Sequence, residues 1–426
     1  MNKLYGKTIL FLEGENMLIP VLEKAHSFGI KTVIANWYSP EDAPAKLVAD
    51  KHYEVDFNDI PQMFEIIENE KVDGIFTAFT DSHMDAFYRL CNAAKLPCYT
   101  NEKLLEVMVN KATFKKYCQQ AGLKVIEEYS KDIVEDSEKR QDIQYPVIVK
   151  PVDNSGARGI SIVFDDESLE SAVKRGLEYS TAKDVVIERY IRAEYALADF
   201  MIQDGKAYFC ASSDKPVNDD DKTNVVLPGA YIYPSKHDSL IKEKLIDAVQ
   251  RFVEIIGYEN GIMCLELIVE DGNVYVIEPQ FRYGGKFQDV FIEEECGLDE
   301  IEDLLKLSVF GRYGEDGLAE KIADKFKRNY ALMNILVGKG IISSVPTLEE
   351  INKIPDNGVS LYIPRKQIGD EIIPDGSVIQ MFGKVVVTDN TRGSLLAKMK
   401  SIQQKLLILN ENGENIVINS MPENYS

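Results

Sequence analysis

The chain has 426 residues, 45% hydrophobic and 28% charged, with a formal net charge of -22 at pH 7. That length gives room for two or three domains, each with its own core. The acidic balance excludes nucleic acid and anionic membrane as partners of the bulk surface. It does not exclude a phosphate ligand held locally by lysine, arginine or metal.

No apolar run approaches the roughly 18 residues of a membrane span. The start MNKLYGKTILFLEG has no signal-peptide core and cleavage site, so the cytoplasm is the expected compartment. Cys91, Cys98, Cys118, Cys210, Cys264 and Cys296 form no CxxC pair, and the histidines do not cluster. Buried thiols are therefore expected rather than zinc sites or disulfides.

Residues 7–12 read as a buried strand, 13–16 as its turn, and 17–28 as a helix closed by Gly29. A strand over 30–35, a helix over 60–70, a strand over 73–79, a helix over 84–95 and a short strand over 97–99 follow. This alternation predicts an open parallel sheet with helices on both faces. The first turn has only Gly14 where a dinucleotide loop needs GxGxxG, which argues against NAD. Glu13, Asn36 and Thr80-Asp81-Ser82-His83 fall at the carboxyl edge of the sheet, as turn and cap residues or as ligand contacts. Asp50 and Asp56, around a further short strand, read as solvated.

Lys111 opens a helical pattern that Gly122 closes, and 123–129 read as extended. The charged stretch 131–142 reads as a solvated loop or short helix. A strand over 146–150 ends in Lys150, and another covers 160–164. Between them PVDNSGARG places Gly156 and Gly159 on either side of Arg158. Such a loop, with a lysine at its root, can close over phosphates through backbone N–H groups; a plain hairpin turn is the other reading. It is not a Walker A loop, which needs GxxxxGK[ST] and a following helix. A helix over 167–180 leads to a strand over 185–187 that runs into Glu188, Ile191 and Glu194. Strands over 195–202 and 206–211 flank Asp204-Gly205, a hairpin signal. Residues 212–235 are polar and turn-rich, either a functional loop or a disordered excursion. A helix over 239–256 precedes the most informative stretch.

That stretch is 262–286, IMCLELIVEDGNVYVIEPQFRYGGK. Two apolar runs flank Glu270-Asp271-Gly272, and each carries a carboxylate, Glu266 and Glu278. A three-residue loop with Gly272 left-handed would set the two acids opposite each other. Alternation then brings Gln280 and Arg282 onto the same face. Two acids, an amide and a guanidinium suit divalent metal, phosphate and developing negative charge. A surface hairpin with ordinary charges is disfavoured because Glu266 interrupts an apolar strand, where an unpartnered carboxylate is costly. Beyond it, 311–317 reads as a linker, 331–337 as an apolar run, 359–363 and 377–387 as strands, and 392–405 as a helix.

Taken in order, Lys111, VIVKP ending at Lys150 and Pro151, SGARGI, ERYIRAE and ELIVEDGNVYVIEPQFR resemble the ATP-grasp superfamily. The similarity is to the branch of biotin carboxylase, the phosphoribosylaminoimidazole carboxylase ATPase subunit and L-amino-acid ligases. It spans essentially the whole chain.

The resemblance implies an α/β and α+β chain with the ATP-grasp fold. Residues 1–110 would be an N-terminal open parallel-sheet (pre-ATP-grasp) domain. The nucleotide-binding and catalytic domain would be 111–310, with a lid subdomain over about 123–190, and 311–426 a small C-terminal α+β domain. Lys111 and Lys150 would contact phosphates, and Ser155, Gly156, Arg158 and Gly159 would form a mobile lid. Glu188 and Ile191 would make the adenine hinge, and Glu194 would accept from the ribose hydroxyls. Glu266 and Glu278 would bind metal, and Arg282 would face the transferring phosphoryl group. Many relatives carry Asn where this sequence has Gln280, which keeps the carbonyl oxygen at a greater reach.

The implied cofactors are ATP and Mg²⁺, with Mn²⁺ as a substitute and usually two ions. The implied activity is ligation of a small carboxylate, such as an amino acid, to an amine through an acyl phosphate. A carboxylase-like reaction through carboxyphosphate and a non-catalytic ATP-binding regulator are the alternatives. Lys215, Arg312 and residues 228–236 are candidates to hold the carboxylate. Small-molecule substrates are the expected partners, without nucleic acid or membrane and with homodimerisation allowed.

Overall fold

Residues 8–11 (TILF) and 31–36 (KTVIAN) are apolar with little alternation, as strands covered on both faces must be. They form β1 (Thr8–Phe11), followed by α1 (Ile19–Ser27), and β2 (Lys31–Asn36). β3 (Lys51–Glu54), α2 (Ile60–Glu70), β4 (Gly74–Phe76) and α3 (His83–Ala94) complete a parallel sheet of order β3-β2-β1-β4. The computed structural model describes residues 3–134, 139–153, 159–217, 228–322, 324–354, 359–374, 380–418, 421 and 425.

Two details depart from the sequence expectation here. Residues 97–99 form no strand: Pro97 lacks an N–H, and the segment is pinned by a side chain instead. The Tyr99 phenol accepts from Thr77 N and donates to Thr77 O, each at 3.1 Å. A further helix, α4 (Glu102–Val109), starts where the Asn101 side chain accepts from Leu104 N. Asp50, read as solvated, is exposed, and it also accepts from Thr32 N at 2.8 Å, which ties β2 to the β3 approach.

α5 (Lys111–Ala121) is capped by Asn110 and ended by Gly122 at φ +81°, a left-handed position that suits glycine. β5 (Glu128–Tyr129), β6 (Val147–Pro151), β7 (Ser161–Val163), α6 (Asp166–Tyr179) and β8 (Val185–Arg189) make a small antiparallel sheet of order β5-β8-β6-β7. Its odd-numbered residues, Val147, Val149, Val163 and Ile187, pack on Leu169 and Val173 of α6. Its even-numbered residues, Ile148, Lys150, Ile162 and Glu188, are thereby turned the other way.

β9 (Glu194–Gln203), β10 (Lys206–Asp214), β11 (Ala230–Tyr233), α7 (Asp238–Ile256), β12 (Gly261–Glu270) and β13 (Asn273–Gln280) follow. The strand β11 lies inside the stretch read as loop; it pairs at β10 and continues the sheet. Leu265, Leu267, Val269, Val274 and Val276 face α5 and α7, where Phe114 and Phe252 meet edge to face. The opposite face carries Glu266, Ile268, Ile277 and Glu278.

The β12–β13 turn corrects the expected loop. Asp271 (φ +48°) and Gly272 (φ +74°) form a two-residue connection with both residues left-handed, the pattern of a type I′ hairpin. Its register pairs Leu267 with Val276. A bulge at Ile277 then shifts the partners by one, so that Glu266 faces Glu278. The turn alone would have left the acids out of register.

α8 (Asp289–Cys296) and α9 (Glu300–Phe310) share one apolar core with the N-terminal sheet. Gly74 of β4 lies so close to α9 that a Cβ would sit 2.1 Å from the Ser308 carbonyl oxygen. After the short α10 (Leu318–Lys321) come β14 (Asn329–Val337), β15 (Gly340–Ser344), α11 (Leu348–Lys353), β16 (Val359–Pro364), β17 (Glu371–Ile372), β18 (Met381–Asp389) and α12 (Arg392–Lys405). The large sheet runs β13-β12-β9-β10-β11-β14-β18-β16 among the described residues, so the C-terminal strands extend it without a break. No helix among the described residues is long and apolar enough to cross a membrane.

Candidate functional site

The polar face of the small sheet looks across a cleft at the β12–β13 face. The cavity between them, about 200 Å³, has Ile126, Ile148, Ile162, Ile268 and Tyr195 in its lining. Lys111, Lys115, Lys150, Lys215, Glu266 and Glu278 line it as well. Glu188 and Ile191 line it too. A lining that combines apolar side chains with lysines and carboxylates is suited to a flat ring with a polyanionic tail.

The charges come in matched sets. Lys150 Nζ lies 2.7 Å from one Glu188 oxygen and Lys115 Nζ 2.5 Å from the other, while Lys115 also reaches Glu128 at 3.2 Å. Burial pushes the Glu188 carboxyl up, but the two ammonium groups outweigh it and hold it down at about 2. Lys215 Nζ donates to Glu266 at 2.9 Å; burial disfavours its charge, and Glu266 restores it and raises the ammonium above its ordinary range. Burial likewise pushes the Lys111 ammonium down, against the pull of Glu278.

Lys115 yields a direct test of this arrangement. Lys115→Met leaves Glu188 buried with one cation fewer, and removing one partner of a buried pair costs about 3 kcal/mol. Glu188 is depressed from 4.5 to about 2, so its contribution to stability is present above pH 4.5 and lost as pH falls toward 2. In the variant the folded carboxyl is less depressed, so the loss between pH 4.5 and 2 should be smaller and end at higher pH, which urea unfolding across pH 2–7 would register.

Glu266 and Glu278 fit a divalent cation. Burial and the facing Glu266 push the Glu278 carboxyl above its ordinary range, a repulsion that a cation would relieve. Among the described residues no cluster of three or more His, Cys, Asp or Glu could complete a metal cage. Two carboxylates without a cage suit Mg²⁺, which takes its other ligands from phosphates and water, better than Ca²⁺.

A model of the ATP-grasp domain matches residues 143–288, which include β6, β8, β12 and β13. A formate-dependent phosphoribosylglycinamide formyltransferase from Sulfurisphaera tokodaii is 24% identical over 284 residues, covering 64% of this chain and 69% of its own. The chain carries an ATP-grasp domain. An L-amino acid ligase from Bacillus licheniformis superposes with a TM-score of 0.78 at 20% identity, over 96% of this chain and 100% of that one. A biotin carboxylase from Campylobacter jejuni, solved as a β-γ-ATP complex, gives 0.75 at 20% identity over 96% and 93%. At these identities the likeness is one of fold, and the fold is the ATP-grasp architecture expected from the sequence.

Within the ATP-grasp domain and around it, the remaining candidates are placed as follows. Ser155, Gly156 and Arg158 lie outside the described residues. Gly159 (φ +78°) is off the cavity, where a Cβ would come 2.6 Å from Tyr179 and 2.8 Å from Pro151. Gln280 follows Glu278 on β13, beside Gly284, and does not line the cavity. Glu194 lies in a side chamber, held by Lys236 at 2.5 Å and by His237. Arg312 is taken up at the surface by Asp204 and Asp316, at 2.7 and 2.8 Å, and lines none of this space.

Arg282 is also off the cavity, half-buried against the N-terminal sheet edge. Its guanidinium donates to both Asp81 oxygens, at 2.6 and 2.7 Å. The backbone fixes this junction, since Phe79 N donates to Tyr283 O at 2.7 Å. Phe79 has φ +56°, a strained state for a bulky residue and one that concentrates at functional sites. Nearby, Glu13 accepts from Thr77 Oγ1 and Ala78 N at 2.6 and 2.8 Å, with His83 Nδ1 at 3.0 Å. The sequence reading missed Lys115 and the apolar lining. Lys115 stands four residues after Lys111, one helical turn on the same face, a signal available beforehand.

Proposed function

We propose that this ATP-grasp protein is an ATP-dependent carboxylate–amine ligase acting on an amino acid or another small carboxylate. The observation that carries the reading is the convergence of Lys111, Lys150 and Lys215 with the opposed Glu266 and Glu278 in one lining with apolar side chains. Adenine would pack on those side chains beside Glu188 and Ile191, and the phosphates would extend over the lysines. Glu266 and Glu278 would hold Mg²⁺, which when bound offsets phosphate charge, with Gln280 two residues beyond Glu278 as a further candidate ligand; two ions are the expected number and Mn²⁺ a substitute.

In this reading a carboxylate oxygen of the substrate attacks the γ-phosphorus and ADP leaves, giving an acyl phosphate. The amine nitrogen then attacks the carbonyl carbon, phosphate departs, and the nitrogen gives up its proton. Lys150 and Lys111 neutralise the phosphates, Lys215 holds Glu266 in place, and Arg282 faces charge that develops on the transferred group. Substrates would enter at the Arg282–Asp81 junction, between the N-terminal sheet and the rest. The described cysteines are free thiols, which fits a reducing cytoplasm.

The test is phosphate release from ATP and Mg²⁺ over pooled amino acids and small carboxylates, with and without amines, followed by mass spectrometry. The expected result is release that needs a carboxylate, coupled to an amide product. Release with bicarbonate alone would favour a carboxylase. Release without a coupled product would sink the ligase reading, and ATP binding without any release would favour a regulator.

A further inference from the structure

Beside the main cleft lies a second cavity of about 150 Å³, lined by Glu194, Tyr195, Asp214, Lys215, Lys236 and Tyr425. Tyr195 and Lys215 line both spaces, so the chamber is a side branch of the nucleotide cleft. It is walled by a residue from the far end of the chain. Lys236 Nζ stands 5.3 Å from the Tyr425 ring centroid and 2.5 Å from Glu194 Oε1. The lysine is thus fixed between an aromatic face and a carboxylate. Arg392 at the start of α12 donates to the Tyr425 phenol at 3.0 Å and to Asp214, which precedes Lys215. Asp214 is itself buried and accepts from Ser235 Oγ at 2.6 Å.

We propose that Tyr425 is a nucleotide-positioning residue that closes a ribose chamber and holds Lys236 and Glu194 in place for the sugar hydroxyls. This rests on the ATP reading of the main cleft. Among the described residues the Glu194 oxygens are each engaged once, by Lys236 and by His237. A carboxylate oxygen has about two acceptor sites, so each keeps one for a hydroxyl. Without the ring, Lys236 loses one of its two supports, and Glu194 loses the cation that orients it. Adenine and phosphate contacts lie in the other branch and are untouched, so the effect is confined to the sugar.

The experiment is calorimetric titration of the full chain with MgATP and with Mg-2′,3′-dideoxyATP, for wild type, Tyr425→Ala and Tyr425→Phe. Tyr425→Ala should weaken ATP by about threefold to fivefold, the range of one cation–π contact. It should leave the dideoxy analogue unchanged. Tyr425→Phe keeps the ring and should bind ATP within about twofold of wild type, a change too small for a lost cation–π contact. Equal weakening of both nucleotides by the alanine variant would mark a structural role and overturn the proposal, as would a phenylalanine variant as weak as alanine. A wild-type protein that binds the dideoxy analogue as tightly as ATP would overturn the ribose chamber while leaving the nucleotide site standing. One that binds neither would overturn the nucleotide reading first.

Discussion

Replacing Glu278 by glutamine or alanine is expected to abolish turnover while leaving the fold as stable as before or more so. Glu278 is half-buried in the cleft wall and faces Glu266 across the β12–β13 pair, and both facts disfavour its charged form. Without a bound cation the carboxylate is therefore a liability to the folded state, and removing its charge should relieve that repulsion. Its contribution to catalysis would be large, because a metal at the transferring phosphoryl group supplies several kcal/mol of charge stabilisation. At 1.36 kcal/mol per tenfold, that corresponds to roughly a thousandfold in phosphate release. Glu278→Gln keeps an oxygen and most of the packing, so it isolates the charge, whereas Glu278→Ala also removes the ligand atom. Thermal melting and phosphate release measured on both variants separate the two effects. Unchanged turnover in Glu278→Ala would refute the metal role. A large loss of melting temperature would show that Glu278 is held by contacts other than a cation.

The same hairpin shows how far the sequence was legible. Alternating apolar residues around Asp271-Gly272 are enough to place Glu266 and Glu278 on one face. The bulge at Ile277 that opposes them is a break in the period-2 alternation, which the pattern of apolar residues does not mark. Elements with clear caps, such as the helix between Asn110 and Gly122, were read to within a residue. The four-residue strand at 230–233 was not, since AYIY between Gly229 and Pro234 is too short for periodicity to act. Lys115 escaped because its meaning depends on Glu188, on a strand far along the chain. Asp81 was seen at the sheet edge, but its pairing with Arg282 exists only once the N-terminal sheet has docked on the hairpin. α9 carries an apolar face that could serve any sheet; only the glycine at position 74 makes room for it on β4.

That docked junction is where the second large effect is expected. Arg282 makes two near-parallel bonds to Asp81, at 2.6 and 2.7 Å, and only a planar guanidinium can present such a fork. Arg282→Lys keeps the charge but not the fork, so the cation would swing free of the position that faces the reacting group. Loss of one well-aimed donor to developing charge costs about a hundredfold in kcat. Because Arg282 stands outside the nucleotide cavity, KM for ATP should change by no more than about twofold, since ground-state ATP contacts are untouched. Asp81→Asn leaves one acceptor oxygen and the same shape. Its loss should be about tenfold, in line with a charge-assisted bond weakened to a neutral one. Steady-state kinetics of both variants against ATP and against the carboxylate would check the ordering. If Arg282→Lys raised KM for ATP in step with the fall in kcat, the residue would belong to the nucleotide site. If Asp81→Asn were the more damaged of the two, the aspartate itself would be the group that meets substrate, with Arg282 serving to hold it.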